Sequence, residues 1–213
     1  MIFSAISLYK LIIMDASLIL LPDTLTQKKM VIKKIAVIFF ASFLYIHFAL
    51  AQAVYTPVDA GSKISFTIKN FGFKTGGGFT GLKGAIHFDP ANPAAAHFEV
   101  SVAASTINTD NGTRDKHLKK EEYFDVAKYP TLSFKSTKVT AATTAGRYVM
   151  MGNLTIKGVT KPVQFGFAAT VKDGGYLFES DQFEINRRDF NVGGSSISMQ
   201  DKLKIILSVF AKK

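Results

Sequence analysis

Thr113-Arg-Asp-Lys-His-Leu-Lys-Lys-Glu-Glu-Tyr-Phe-Asp-Val-Ala-Lys-Tyr-Pro-Thr-Leu-Ser-Phe-Lys-Ser136 reads as a short polar helix set into a chain that otherwise reads as strands. Asn111-Gly112 ahead of it is a turn signal, and Thr113 is placed to cap a helix near residues 114–124. Asp115 falls in the first turn, where a carboxylate suits the helix dipole, four residues before Lys119. Pro130 closes the segment and returns the chain to extended structure. Leu132 and Phe134 then alternate with Ser133 and Lys135, the pattern of a half-buried strand.

Outward from that segment, period-two alternation recurs between Gly, Asn, Asp and Pro punctuation. Ile64, Phe66 and Ile68 alternate with Lys63, Ser65, Thr67 and Lys69. The same pattern runs through Leu82–Phe88, Phe98–Val102, Tyr148–Ile156, Val163–Val171, Tyr176–Phe178, Phe183–Ile185 and Leu203–Val209. Lys157-Gly158 and Asp173-Gly174 mark tight hairpins. The reading is all-β: a closed antiparallel barrel of about eight strands with one short inserted helix. A barrel of that strand number has an interior large enough for side chains or one small ligand. Alternation assigns Phe66, Ile68, Phe98, Val100, Phe134, Phe165, Phe167, Phe178, Phe183 and Ile185 to the inner face. Arg187 continues the face of Phe183 and Ile185, so it is either a buried ion pair with Asp115, Asp125 or Asp189, or a donor to a ligand's polar head. An eight-stranded outer-membrane barrel alternates in the same way, with its apolar face turned to lipid. The absence of Trp and the mid-strand charges Lys69, Lys83 and Glu99 favour the apolar-inside form.

Residues 30–53 read as a targeting segment. Met30-Val-Ile-Lys33-Lys34 is a basic n-region, Ile35 to Leu50 is apolar, and Ala51-Gln52-Ala53 is a small-x-small cleavage site. This is the pattern of a secretory signal peptide over residues 30–53, cleaved after Ala53, with residues 1–29 an over-extended start or an extra leader. The expected destination is the periplasm, or beyond the cell. The expected mature domain is residues 54–213. Five of the 26 basic and two of the 16 acidic residues lie before residue 54, which leaves 21 against 14 and a net charge of +7 on that domain. Its basic residues are scattered along strands and lack the clustered stripe of a nucleic-acid footprint. A scattered positive charge suits solvated outer faces and transient contact with an anionic membrane surface. Cysteine is absent, which excludes disulfides, thiolate catalysis and a lipid-modified N-terminus.

Catalytic and metal motifs are equally thin. His87, His97 and His117 share no ligand spacing, and Gly193-Gly-Ser-Ser196 lacks the Gly-x-Ser-x-Gly elbow. Gly76-Gly-Gly78 is followed by no Lys-Ser/Thr and helix, so it reads as a bend in a curved strand. Arg114, Asp115 and His117 read as a hydrogen-bonded group fixing the helix to the barrel. No cofactor and no enzyme activity are expected.

Several runs resemble the YceI-like family of bacterial lipid- or polyisoprenoid-binding, lipocalin-like proteins. They are Arg114-Asp115-x-His117-Leu118, Phe124-Asp125, Tyr129-Pro130 with Phe134, Gly152-Asn-Leu-Thr-Ile-Lys-Gly-Val-Thr160 and Ile185-Asn-Arg-Arg-Asp-Phe190. Many members carry His-Ser ahead of the first strand, where this chain has Gly61-Ser62. The resemblance implies a soluble lipocalin-like barrel that holds a long-chain amphiphile, such as a polyisoprenoid, a quinone or a fatty-acid derivative, for carriage or storage. The other readings are the outer-membrane barrel and a fully packed barrel acting as a stress protein or enzyme.

Overall fold

The structure is a computed structural model and describes residues 53–213. The expected signal peptide, and the over-extended start or leader expected before it, lie outside the described residues.

Ten strand segments build one antiparallel sheet. In chain order they are β1 Val54–Asn70, β2 Phe73–Phe79, β3 Lys83–His87, β4 His97–Ala103, β5 Thr131–Ala141, β6 Arg147–Ile156, β7 Val159–Lys172, β8 Gly175–Ser180, β9 Phe183–Asn186 and β10 Lys202–Lys212. Neighbours pair in sequence from β3 to β8, β8 pairs with β10, and β10 returns to β1, so the ring closes. β2 and β3 both pair with β1, at its C-terminal and N-terminal parts respectively. β8 and β9 divide β10 in the same way. Each of these two pairs is one strand interrupted by a corner, and the barrel is therefore eight-stranded. At the first corner the Asp59 carboxylate accepts hydrogen bonds from the amides of Gly81 and Leu82, both at 2.9 Å.

Period-two alternation holds around the ring. Lys69, Lys83 and Glu99 are exposed, and their apolar neighbours turn inward. This is the reverse of a membrane-spanning barrel, whose outer band is apolar. Glu99 joins the outer-face group of Lys135 and His97. The hydrogen bond from Lys135, then that from His97, holds its carboxyl below the ordinary range.

β1 is longer than the alternation indicated. Gly61-Ser62 stands within it and not ahead of it. A bulge between Val58 and Lys63 absorbs the pair, with Gly61 at φ +84°. The Ser62 hydroxyl stitches the bulge by donating to the Val58 carbonyl at 2.5 Å and accepting from the Phe210 amide at 2.8 Å.

Three hairpins use two-residue turns with both residues at positive φ: Phe71-Gly72, Lys157-Gly158 and Asp173-Gly174. Such turns match the twist of the flanking strands. A non-glycine residue in the left-handed region is strained by about 1–2 kcal/mol, and Phe71 has no polar side chain to offset it.

The helix α1 spans Gly112–Leu118 and is shorter than expected. Its cap is Asn111, not Thr113. Asn111 is extended, and its side chain accepts from the Arg114 amide at 3.0 Å. Turns continue the segment to Tyr129, whose amide bonds to the Asp125 carbonyl at 2.8 Å.

Candidate functional site

The barrel interior divides into a solid end and a hollow end. The solid end lies at the start of β1 and is an aromatic cluster centred on Phe88, which is 1% exposed. Phe98, Tyr148, Phe167, Tyr176 and Phe178 present edges to its ring at centroid distances of 5.2–6.5 Å. Edge-to-face contact of this kind suits the ring quadrupole.

The hollow end is a cavity of about 240 Å³. That lies just below the usual range of roughly 300–1,000 Å³ for ligand pockets. Its walls include Ile64, Phe66 and Ile68 of β1, Val100 of β4, Leu132 and Phe134 of β5, Val163 and Phe165 of β7, Phe183 and Ile185 of β9, and Leu203, Ile205, Leu207 and Val209 of β10. Ile107, Leu118, Tyr123, Phe124, Phe190 and Val192 cover it from the helix segment and the loop after β9. Phe165 stacks on Phe183 at 4.5 Å and leans on Phe134 at 5.8 Å. Two glycines make room for cavity-wall rings. Side chains added at Gly77 and Gly152 would run into the rings of Phe66 and Phe134.

Of the inner-face residues assigned from alternation, Phe66, Ile68, Val100, Phe134, Phe165, Phe183, Ile185 and Arg187 meet at this cavity. Phe98, Phe167 and Phe178 belong to the solid end, 2–6% exposed. Most inward apolar residues of the hollow end, including Phe66, Val100, Phe134, Phe165 and Phe183, remain half-buried because they face open space and not packed atoms.

Arg187 is 4% exposed and closes an internal network. Its partner is Asp201, and none of Asp115, Asp125 and Asp189. Nη2 donates to Asp201 Oδ1 at 2.8 Å, Nη1 donates to the carbonyls of Val192 and Gly194 at 2.9 Å, and Nε donates to Gln200 O at 3.1 Å. The planar guanidinium thus ties four residues of the 192–201 loop to the end of β9. A carboxylate fourteen residues on wins because the 3-10 turn Arg187–Phe190 folds the chain back beside the start of β10.

Arg114 is the cavity's other cation. Its Nε donates to the Thr109 hydroxyl and its Nη2 to the Thr109 carbonyl, both at 2.7 Å. No described carboxylate lies within ion-pair distance of it. Asp115 turns instead to accept from the Thr109 amide at 2.9 Å and the Thr109 hydroxyl at 2.6 Å. His117 stands apart from both, half-exposed and packed edge-on against Tyr123 at 5.0 Å. Asn70 also lines the cavity, and its Oδ1 is buried with no hydrogen-bond partner among the described residues. Arg114 and Asn70 are two polar members of the lining that alternation could not assign. Arg114 belongs to a helix, and Asn70 lies one residue beyond the Lys63–Lys69 alternation.

A closed antiparallel barrel, packed at one end and hollow at the other, is the architecture of the lipocalin-like class. The sequence pattern of the YceI-like domain matches residues 55–211. A UPF0312 protein of Yersinia enterocolitica is 36% identical over 153 residues, covering 68% of this chain and 78% of that relative. The chain belongs to the YceI-like family. The crystal structure of Burkholderia cenocepacia BcnA shares the fold, with a TM-score of 0.67 and 24% identity over 72% of this chain and 98% of that one. So does a polyisoprenoid binding domain from Saccharophagus degradans, described as implicated in plant cell wall breakdown. Its TM-score is 0.61 and its identity 13%, over 76% of this chain and 98% of that one.

Proposed function

We propose that this protein binds one long-chain amphiphile, an isoprenoid or acyl lipid, with the chain in the hollow end and the head toward the polar lining residues Arg114 and Asn70. The observation that carries the reading is the apolar cavity itself, whose described lining holds no histidine and no carboxylate. An orphaned buried acceptor at Asn70 and an acid-free cation at Arg114 suit a head that both donates and accepts, such as a hydroxyl. The hollow end also sets the molecule apart from a barrel packed throughout. A chain longer than about 240 Å³ allows must displace wall rings or the covering segment. Burial is worth roughly 0.8 kcal/mol per methylene, and about the same in a bilayer, so cavity and membrane are near balance. That balance suits a carrier or store.

Mass spectrometry of organic extracts from the purified protein tests the ligand class directly. Phe165→Asp should abolish uptake of a fluorescent isoprenoid alcohol, because it places an unpaired carboxylate in an apolar wall. Circular dichroism should still show a β-sheet protein. Undiminished uptake by a folded variant would sink the reading.

We further propose export. Its support is the basic n-region at Lys33-Lys34, the apolar run and Ala51-Gln52-Ala53. N-terminal sequencing of protein recovered from the periplasm or medium should begin at Val54. A retained Met1 or Met30 in that fraction would refute cleavage.

A further inference from the structure

The turn between β1 and β2 breaks two local rules at once. Phe71, at φ +50°, occupies the first position of its turn, where Asn, Asp or Gly is preferred. Packing does not account for it, since Phe71 is 75% exposed and its neighbour across the turn, Phe73, is 76% exposed. One pair further down the hairpin, Lys69 and Lys74 stand directly opposite each other. Like charges in that position repel. Where a sequence violates its own local preferences without compensation inside the fold, the gain is to be sought in function.

A second segment shares this end of the barrel. The Phe71 amide donates to the Ser198 carbonyl at 2.8 Å, and the Gln200 amide donates to the Lys69 carbonyl at 3.0 Å. The loop held there presents Ile197 wholly to solvent. Lys202 and Lys204 join Lys69 and Lys74 around one depression on the outer face. None of the four lysines is ion-paired with a described residue. Of the two carboxylates in the depression, Glu184 and Asp201, the latter is held by Arg187 and Arg188.

We propose that this end of the barrel is a membrane-docking tip for anionic bilayers. Phe71, Phe73 and Ile197 enter the interfacial region, and the lysines behind them meet lipid phosphates. Exposed aromatic and aliphatic side chains gain by leaving water, while lysine stems lie along apolar surface with their heads outward. The Lys69–Lys74 pair, repulsive in water, becomes favourable beside a negative surface. The three apolar groups project from loop and turn tips beside four lysines, of which only Lys204 has a carboxylate, Glu184, opposite it in the sheet. A lipid surface fits that better than a protein partner, which would call for a packed, complementary face. The tip is also next to the cavity. Asn70 and Met199, bridged to each other, line the cavity immediately beside Phe71 and Ser198. Docking therefore brings the hollow end to the source of its ligand, a consequence that rests on the lipid-binding reading above.

Co-sedimentation of the purified protein with phosphatidylcholine vesicles, with and without phosphatidylglycerol, tests the tip independently of the cavity. The protein should bind the anionic vesicles, and binding should weaken with added salt. The triple variant Phe71→Ser, Phe73→Ser, Ile197→Ser should lose roughly tenfold or more in vesicle affinity at unchanged thermal stability. Lys69→Gln with Lys74→Gln should weaken binding only where phosphatidylglycerol is present. Failure of the unmodified protein to bind, or equal binding by the triple variant, overturns the proposal. So does concentration-dependent self-association that the triple variant abolishes without any vesicle binding, since the tip would then join two copies. A second arm follows uptake of a fluorescent isoprenoid alcohol from donor vesicles. The triple variant should load more slowly at unchanged final occupancy, and equal loading rates overturn the proposal. If neither protein loads, the ligand reading fails while the vesicle arm still decides the tip.

Discussion

Arg187→Met is expected to lower the stability of the barrel by about 3–5 kcal/mol, the range for breaking a buried, hydrogen-bonded ion pair. The guanidinium is 4% exposed and makes four hydrogen bonds, so its loss takes a donor from the carbonyls of Val192, Gly194 and Gln200 and leaves the Asp201 carboxylate only Arg188, at 3.7 Å. Each unsatisfied buried acceptor costs about 1–3 kcal/mol, less where water reaches it. Asp201 is 38% exposed and regains some hydration, which keeps the total within that range and not above it. For a domain of this size the midpoint of thermal unfolding should fall by roughly 6–20 °C. Arg187→Lys should recover only part of the loss, because one ammonium cannot reproduce a planar fork of donors. Differential scanning calorimetry of the three proteins decides it. A methionine variant that melts with the wild type, yet binds lipids with anionic heads more weakly, would return Arg187 to the role of head-group anchor.

Phe88→Ala should cost about 3–5 kcal/mol, the range for truncating a fully buried aromatic residue. Phe88 is the hub of the solid end, in edge contact with five rings, and no wall gives way to fill the space it would leave. The same truncation at Phe165 should cost distinctly less. That ring is only half-buried and already faces a void, so fewer packing contacts are lost. Chemical denaturation of both variants tests the contrast. Lipid uptake should rank them in the opposite order, with Phe165→Ala the more impaired per folded molecule. Equal stability losses would mean that the two ends are packed alike.

The two contrasts show what kind of information local sequence carries. Period-two alternation is a property of a single strand, and it placed Phe66, Phe98, Phe134, Phe165, Phe167 and Phe178 on the inner face without reference to any partner. Turn chemistry is equally local, which is why Lys157-Gly158 and Asp173-Gly174 were legible as hairpins. The runs around Arg114, Gly152 and Ile185 carried the family, and with it ring closure. Cap choice was less legible, because Asn111 and Thr113 are both competent and only the extended backbone at Asn111 settles which one is used.

The amino-acid sequence by itself determined the faces of the strands, the closed barrel and the family. The tertiary structure decided depth along the barrel axis. It separated Phe98, Phe167 and Phe178 in the solid end from Phe66, Phe134 and Phe165 at the cavity, because alternation reports a side of the sheet and not the density of atoms facing it. It gave Arg187 to Asp201, put Arg114 and Asn70 in the cavity lining and left Phe71 and Phe73 in solvent. Each of these depends on which distant segments the closed ring brings within a few ångströms, and no spacing within one strand encodes that.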